Sequence, residues 1–254
     1  SSKSRFDKAC AAFEAAHMED PRTITITTID DGNTNGKNKK TTLPYSVHYH
    51  RRMAFWLDRL TTTTPSNDDD ADDVSEPQQQ QPPPSEAVKL AVRCQHIRRW
   101  MRPRSDYPKG LASYKKWRTE LQKFHAQQAT EILLDSGYST ETTDKVTELL
   151  CKKNLLRQTG GGDDDGDEEE GASDVQLLED VICVVFLENE YTAFIEDNEE
   201  TYDDDKLVNI VQKTWKKMSP RGHEAALQLA DQLSERGLRV VQRALQEDEA
   251  EEGV

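Results

Sequence analysis

The sequence predicts an all-α protein in which seven to eight helices form a single bundle. Two observations lead to this fold class. Apolar residues recur at every third or fourth position through most of the chain outside its polar segments, which is the spacing of one helix face. Only one short segment alternates polar and apolar residues as a strand does, and one strand alone does not form a sheet.

The N-terminal part predicts one helix and the lone strand. Residues 5–19 place Cys10 and Phe13 on one apolar face, and Pro21 ends the helix because proline cannot continue it. The next segment, residues 23–30, alternates threonine with isoleucine and predicts a short strand. The sequence offers no obvious partner strand for it.

The middle of the chain predicts three helices with apolar faces and recognisable ends. Ser85 is a suitable N-cap, and Gly137 is a suitable C-terminal residue because glycine tolerates a left-handed conformation. These helices span residues 45–60, 86–101 and 110–136.

The C-terminal half predicts four more helices. The second of them is the most apolar element, the third stops before Pro220, and the last is expected to bend at Gly237. They span residues 140–154, 175–189, 206–218 and 221–246.

Polar, low-complexity segments interrupt this pattern. They hold too few apolar residues to offset the entropy lost on ordering, so we expect disordered insertions and a disordered tail. The predicted single domain covers residues 1–246, the insertions are residues 30–43, 61–85 and 159–173, and the acidic tail is residues 247–254.

The net charge of the chain is −15, yet the acidic segments account for all of it. Residues 61–85, 159–174 and 247–252 carry 6, 8 and 5 acids and no base, which is 19 negative charges, so the remainder of the chain is +4. The overall acidity therefore does not exclude an anionic ligand.

Several classes of protein are not expected. No apolar run is long enough to span a membrane, and the first residues lack the apolar core of a signal peptide. The four cysteines lie far apart in sequence and predict buried or half-buried free thiols, not a zinc motif or a disulfide framework. A reducing compartment, the cytoplasm or the nucleus, is the expected location.

Three polar residues on apolar helix faces predict a metal site. His96 lies among apolar neighbours and is expected to be buried, His125 borders an apolar face, and Asp180 shares a face with Leu177 and Val184. Each alone is commonly a satisfied core side chain, but two imidazoles and a carboxylate form a good ligand set for a divalent transition metal. His50 is a candidate fourth ligand.

A basic stretch joins the two histidines of this set. Residues 93–123 contain ten bases and two acids, a net charge of +8. Arginine forks suit phosphate oxygens, and the interleaved aromatic residues can stack on a base. We therefore expect anion binding by Arg99, Arg104 and Arg118 and stacking by Trp100, Tyr107 and Trp117. The alternative is that these charges only solvate helix surfaces.

Long ungapped segments resemble an uncharacterised family, a domain of unknown function of bacteria and fungi whose members are sometimes labelled glutamyl-tRNA synthetase. The sequence has no nucleotide motif of a synthetase on a Rossmann pattern. The segments that carry the resemblance are RRMAFWLDRL, LAVRCQHIRRWMRPRSDYPKG, YKKWRTELQKFHAQQATEILLDSGY, LLEDVICVVFLE and KTWKKMSPRGHEAAL.

A second resemblance is to the HD superfamily of helical metal phosphohydrolases. The order of QHIRRW, FHAQQATEILLDSGY and LLEDVICVV is similar to the order of the metal-binding segments in that superfamily. Ile97 stands where the aspartate of its His-Asp pair is expected. Either Glu179 supplies the missing carboxylate, or the metal is bound differently, or metal chemistry has been lost.

These observations lead to a first hypothesis of a metal-dependent hydrolase of a phosphate-bearing substrate such as a nucleotide. His96, His125, Asp180 and His50 would hold Mn²⁺, Fe²⁺, Zn²⁺ or Mg²⁺, and Glu179 would act as general base or ligand. One alternative is a non-enzymatic module that binds nucleic acid such as tRNA. Another is a helical interaction protein with a degenerate metal site.

Overall fold

The computed structural model describes residues 3–29, 38–62, 83–151, 167–197 and 202–252 of the chain. Its backbone is mostly helical, so the all-α class is confirmed. The α-helices of these residues are α1 (Arg5–Met18), α2 (Tyr45–Thr61), α3 (Glu86–Cys94), α4 (Leu111–Asp135), α5 (Thr140–Cys151), α6 (Asp167–Asn189), α7 (Tyr191–Asp197), α8 (Asp204–Trp215), α9 (Pro220–Leu227) and α10 (Glu235–Glu252).

The chain forms two compact units, so the single domain expected from the sequence has two parts. The first unit comprises Ser1–Ala54 and Glu86–Val175. The second unit comprises Phe55–Ser85 and Gln176–Val254. The boundaries fall within α2 and α6, each of which contributes residues to both units.

The core of the first unit lies between α1, α3, α4 and α5. Helix α3 packs against α1 and α5, and α4 packs against the same two helices. Five side chains in this core are almost completely inaccessible to solvent, namely Phe13, Val88, Leu90, Leu133 and Val146. Ser4 caps α1 through a reciprocal pair of hydrogen bonds with Asp7, which satisfies backbone N–H groups that the first turn leaves unpaired.

The predicted strand has a partner. Strand β1 (Thr23–Ile29) pairs antiparallel with β2 (Asn38–Pro44), with Thr23 opposite Pro44. Thr25 and Thr42 lie opposite each other, and their hydroxyls are hydrogen bonded at 2.9 Å. Residues 38–43 were predicted to lie in a disordered insertion, which was wrong because Thr41 and Thr42 pair with the β-branched residues Ile26 and Thr25 of β1.

Helix α3 is shorter than the predicted helix 86–101. It ends at Cys94, and the chain continues through a tight turn to a 3₁₀ segment at residues 99–101. Arg98 has a φ of 51°, the left-handed region that breaks a right-handed helix. His96 therefore lies in a turn, and it is half-buried, not buried as expected.

The second unit is built around α10, which packs against α7 and α8. The hydroxyl of Tyr191 in α7 donates to the carbonyl of Gly237 in α10 at 3.2 Å. The predicted helix 221–246 is two helices, because a 3₁₀ turn at residues 230–232 separates α9 from α10. The break therefore precedes Gly237, which was expected to mark a bend.

Helical backbone extends into two segments predicted to be disordered. Helix α6 begins at Asp167, inside the insertion 159–173, and α10 continues to Glu252 in the acidic tail. The other parts of the predicted insertions, residues 30–37, 63–82 and 159–166, lie outside the described residues.

The four cysteines are buried or half-buried, as predicted. Cys94 is buried in the first unit and Cys183 is buried in the second, whereas Cys10 and Cys151 are half-buried. Burial raises the pKa of the Cys94 thiol far above its usual value, so this sulfur stays protonated near neutral pH.

Candidate functional site

Four histidines of the first unit form two ring pairs, which we call the histidine cluster (His17, His50, His96 and His125). The rings of His17 and His50 stack with their centres 4.4 Å apart. The rings of His96 and His125 lie 5.9 Å apart, and Tyr49 stacks on His96 at 4.6 Å. The structure thus brings together two of the predicted metal ligands, His96 and His125.

Two rings of the cluster each present a buried nitrogen that has no hydrogen-bond partner among the described residues. His125 donates its Nδ1–H to the carbonyl of Ile97 at 2.7 Å, and its Nε2 is unpartnered. His17 donates its Nε2–H to the carbonyl of Arg93 at 2.8 Å, and its Nδ1 is unpartnered. In neutral imidazoles these nitrogens carry lone pairs, so each can accept a proton or bind a metal ion.

The pKa values of three rings in the cluster are lowered. Burial is the main cause for His125, whose pKa falls to about 4, with a smaller contribution from Arg99. Burial and the neighbouring His17 lower the pKa of His50 to about 4, against the opposing effect of Glu14. Burial also lowers the pKa of His17. These rings are therefore neutral near pH 7.

His50 has two acceptors within reach of its ring. Its Nδ1 lies 3.1 Å from the carbonyl of Ser46, and its Nε2 lies 2.6 Å from the carboxylate of Glu14. A neutral ring has one N–H for these two acceptors. Glu14 also binds Arg51. Both ring nitrogens of His50 therefore have partners within the protein. Its role as a metal ligand stays a prediction.

The histidine pair fits the spacing of two ligands but lacks a third. A metal ion about 2.1 Å from each nitrogen places the centres of two imidazole rings roughly 5 to 6.5 Å apart, a range that includes the His96–His125 distance. Within the described residues, no group of three or more His, Cys, Asp or Glu side chains is arranged to hold a metal ion. The guanidinium of Arg99 also lies 3.3 Å from His96 Nε2.

A row of arginines and aromatic rings lies next to the histidine pair. The guanidinium carbons of Arg99 and Arg102 lie 5.3 Å from the ring centres of Trp117 and Phe124, respectively. That of Arg118 lies 6.0 Å from the ring centre of Tyr114. We call this the basic-aromatic surface and define it as Arg99, Arg102, Tyr114, Trp117, Arg118 and Phe124.

The three arginines of this surface carry uncompensated charge. Among the described residues, no carboxylate forms an ion pair with any of them within 4.0 Å. By contrast, Arg98 in the same turn is hydrogen bonded to Glu19 and Gln128. A positive charge without an internal partner is available to an anion from solution.

Arg104, a predicted anion ligand, is engaged within the protein. It donates to the carbonyls of Tyr107 and Pro108 at 2.8 and 2.9 Å. Tyr107, a predicted stacking residue, donates its hydroxyl to Glu120 at 2.6 Å. These contacts fix the loop between α3 and α4, so both residues have a structural role here.

Of the predicted stacking residues, Trp117 is unsuitable because it is buried. Its ring is covered and its Nε1–H donates to the carbonyl of Arg102 at 3.0 Å. Trp100 is half-buried. Tyr114, another of the interleaved aromatic residues of the basic stretch, is exposed, whereas Trp117 of the same helix is buried.

Asp180 has ordinary protein partners in the second unit. One carboxylate oxygen accepts the backbone N–H of Ser219 at 2.7 Å and the amide of Gln176 at 3.0 Å, and the other accepts the hydroxyl of Ser219 at 2.6 Å. Burial raises the pKa of Asp180 in spite of these hydrogen bonds. Glu179 is also buried, and its assignment as general base stays a prediction.

His17 and Arg102 were not among the predicted site residues. His17 was recognisable, because it lies four residues after Phe13 on the apolar face of the first predicted helix. Arg102 had no signal of its own among ten bases. Its position over Phe124 depends on the turn that follows α3, which the sequence did not predict.

Comparison with known proteins places the chain in one family. Residues 7–241 match the family described as a domain of unknown function, DUF4202. No curated protein and no solved structure matches the chain. Within the described part of the chain, each helix is too short or too polar to cross a membrane.

Proposed function

We propose that this protein, which belongs to the DUF4202 family, binds a phosphate-bearing ligand on the basic-aromatic surface of its first unit. The observation that carries the proposal is the set of three guanidinium groups that lie over aromatic rings and have no carboxylate partner among the described residues. Net charge of +8 in residues 93–123 supports it.

The ring contacts favour binding of an anion by these arginines. An aromatic ring under a guanidinium limits the rotamers of a long side chain, so less entropy is lost when an anion binds. The N–H groups of the guanidinium that have no partner within the protein can donate to phosphate oxygens. A nucleotide is the ligand class that best matches charges interleaved with an exposed ring.

Titration with inorganic tripolyphosphate and with ATP tests this proposal. We expect saturable binding, which calorimetry will detect, and an affinity about tenfold weaker for Arg99→Gln, Arg102→Gln or Arg118→Gln, because each variant removes one charge-assisted contact.

Arg5→Gln is the matched control. Arg5 also lies over a ring, that of Tyr138 at 4.8 Å, but it is paired with Glu86 at 3.5 Å. This variant should bind tripolyphosphate as the wild type does. If all four variants have the same affinity, or if the wild type does not bind, the proposal is wrong.

Metal-dependent hydrolysis is a second candidate function. It is favoured by one observation, the buried and unpartnered Nε2 of His125 at a ring distance of 5.9 Å from His96. A metal held there would supply a Lewis acid that lowers the pKa of bound water. Because the described residues offer no complete ligand set, we assign no step of a reaction to it.

Elemental analysis of the purified chain tests this candidate. We expect one equivalent of Mn, Fe or Zn in the wild type and loss of that metal in both His96→Ala and His125→Asn. Mg²⁺, which exchanges rapidly, is tested by a shift of the thermal midpoint. A wild type with neither a bound metal nor any such shift would exclude a metal at this pair.

A further inference from the structure

We propose that the phosphate-bearing ligand is single-stranded nucleic acid, with a base stacked on Tyr114 and phosphates bound by Arg102 and Arg118. This inference rests on the proposed function and specifies its ligand class. It follows from exposed side chains in and beside the basic-aromatic surface and from the fixed loop that precedes α4.

Exposed apolar side chains lie close in sequence to the arginines of this surface. Tyr114 is 41% exposed, Met101 is 56% exposed and Leu111 is 69% exposed. Leu111 and Tyr114 are three residues apart in α4 and therefore share a face, and Met101 lies between Arg99 and Arg102 in the chain. Exposed apolar side chains beside unpaired cations match the alternating bases and phosphates of a single strand.

The ring of Tyr114 is held in place by its neighbours. Trp117 packs against it with ring centres 5.8 Å apart, and the guanidinium of Arg118 donates to its hydroxyl at 3.3 Å. Trp117 is itself fixed by the hydrogen bond to the carbonyl of Arg102. Tyr114, Arg118 and Arg102 thus form one connected set, so an unstacked base and adjacent phosphates can contact it together.

The loop that carries part of this surface is fixed before any ligand binds. Arg104 closes it with two hydrogen bonds to backbone carbonyls, and Tyr107 ties it to Glu120 in α4. A preorganised surface loses little conformational entropy on binding. An anionic membrane would also attract the cations, but two exposed aliphatic side chains bury little area in a bilayer, so we favour nucleic acid.

Fluorescence anisotropy with a labelled single-stranded oligouridine of twelve nucleotides tests this inference in the full chain. We expect Tyr114→Ala to weaken binding by about tenfold or more, since stacking on one aromatic residue contributes about 1–3 kcal/mol. Tyr114→Phe should retain most of the affinity because the ring remains. Leu134→Ala is the control, since Leu134 is an exposed apolar residue of the same helix, 45% exposed.

The salt dependence gives a second measure. The two phosphate contacts, at Arg102 and Arg118, predict a slope of about −1.4 for the logarithm of the binding constant against that of the salt concentration. A slope near zero, or equal affinity of Tyr114→Ala and wild type for the oligonucleotide, would overturn the inference.

Two further measurements separate this inference from the proposed function. One outcome is that tripolyphosphate binds, with a lower affinity for Arg118→Gln, while the oligonucleotide binds no more tightly than tripolyphosphate. In that case the inference fails and the proposed function stands. If neither anion binds, both fail. Co-sedimentation with vesicles of phosphatidylcholine and phosphatidylserine should show no binding, and vesicle binding without oligonucleotide binding would identify the surface as a membrane contact.

Discussion

Acidification from pH 7 to pH 4.5 is expected to destabilise the first unit strongly. The ring of His125 is 4% exposed, and burial lowers its pKa to about 4 from an ordinary value of 6.5. Between these two pH values the unfolded chain binds a proton that the folded chain excludes, so the free energy of unfolding decreases as the pH falls. A difference of 2.5 pH units corresponds to about 3 kcal/mol when complete.

Other groups modify this effect in known directions. His50 and His17 act in the same sense as His125, because burial lowers the pKa of both. Asp180 in the second unit acts in the opposite sense, because its raised pKa lets the folded state take up a proton more readily. Asp20 of the first unit acts in the same sense as the histidines, because, in spite of burial, hydrogen bonds from Arg22 and Ser46 lower its pKa. The acid dependence of the whole chain is therefore not that of the histidine cluster alone.

Urea unfolding at several pH values checks this expectation. His125→Asn removes the titrating group and can still donate to the carbonyl of Ile97, so its stability should change less between pH 7 and pH 4.5. Leu133→Ala, a buried residue of the same helix, should lower the stability by a similar amount at both pH values. Equal acid dependence of His125→Asn and wild type would contradict the assignment.

Asp180→Ala is expected to cost about 3 kcal/mol of stability in the second unit. The variant removes three hydrogen bonds, two of them to Ser219. Ser219 is the N-cap of α9, where its hydroxyl accepts the backbone N–H of Gly222. Loss of a charged acceptor and of the support for a cap each cost about 1–2 kcal/mol.

Gly222→Ala provides a matched test of the same contact. A Cβ at this position would lie 2.6 Å from a carboxylate oxygen of Asp180, which its hydrogen bonds hold in place. Alanine is favoured over glycine in helices by about 1 kcal/mol, so a destabilised Gly222→Ala protein would report the clash. We expect a loss of about 1–3 kcal/mol in wild type.

Thermal or urea unfolding of a protein with both Asp180→Ala and Gly222→Ala completes a double-mutant cycle. Without the carboxylate, the added methyl group has space, so Gly222→Ala should cost less in the Asp180→Ala background. Repeating the measurement with Mn²⁺ or Zn²⁺ distinguishes a structural carboxylate from a metal ligand. Only if Asp180 is a ligand would the stability lost in Asp180→Ala depend on the ion. Additive effects of the two variants would contradict a direct clash.

The fold class was predictable because the apolar residues of one helix face recur every three or four positions in the sequence. The amphipathic spacing of residues 45–60 gave α2 almost to the residue, since its period needs no knowledge of distant contacts. The strand at residues 38–44 was not predicted, because pairing with β1 decides its conformation and its own residues are polar. Tertiary partners of this kind leave no local signal.

The candidate site was predicted only in part, for a similar reason. His96 and His125 do lie together, as their positions on or beside apolar helix faces suggested. The end of α3 at Cys94 depends on the left-handed conformation of Arg98. An arginine gives no sequence signal for this conformation, as a glycine would. That turn determines which arginines lie over aromatic rings. The sequence therefore favoured Arg104 as an anion ligand, whereas the structure favours Arg102.

The buried thiols have a practical consequence for following motions of the two units separately. A thiol reagent reaches Cys94 or Cys183 only after the helices around that sulfur separate. The rate of labelling at each sulfur therefore measures how often its own unit opens under native conditions. Mass spectrometry of peptides can distinguish these slow reactions from faster ones at Cys10 and Cys151, without any introduced probe.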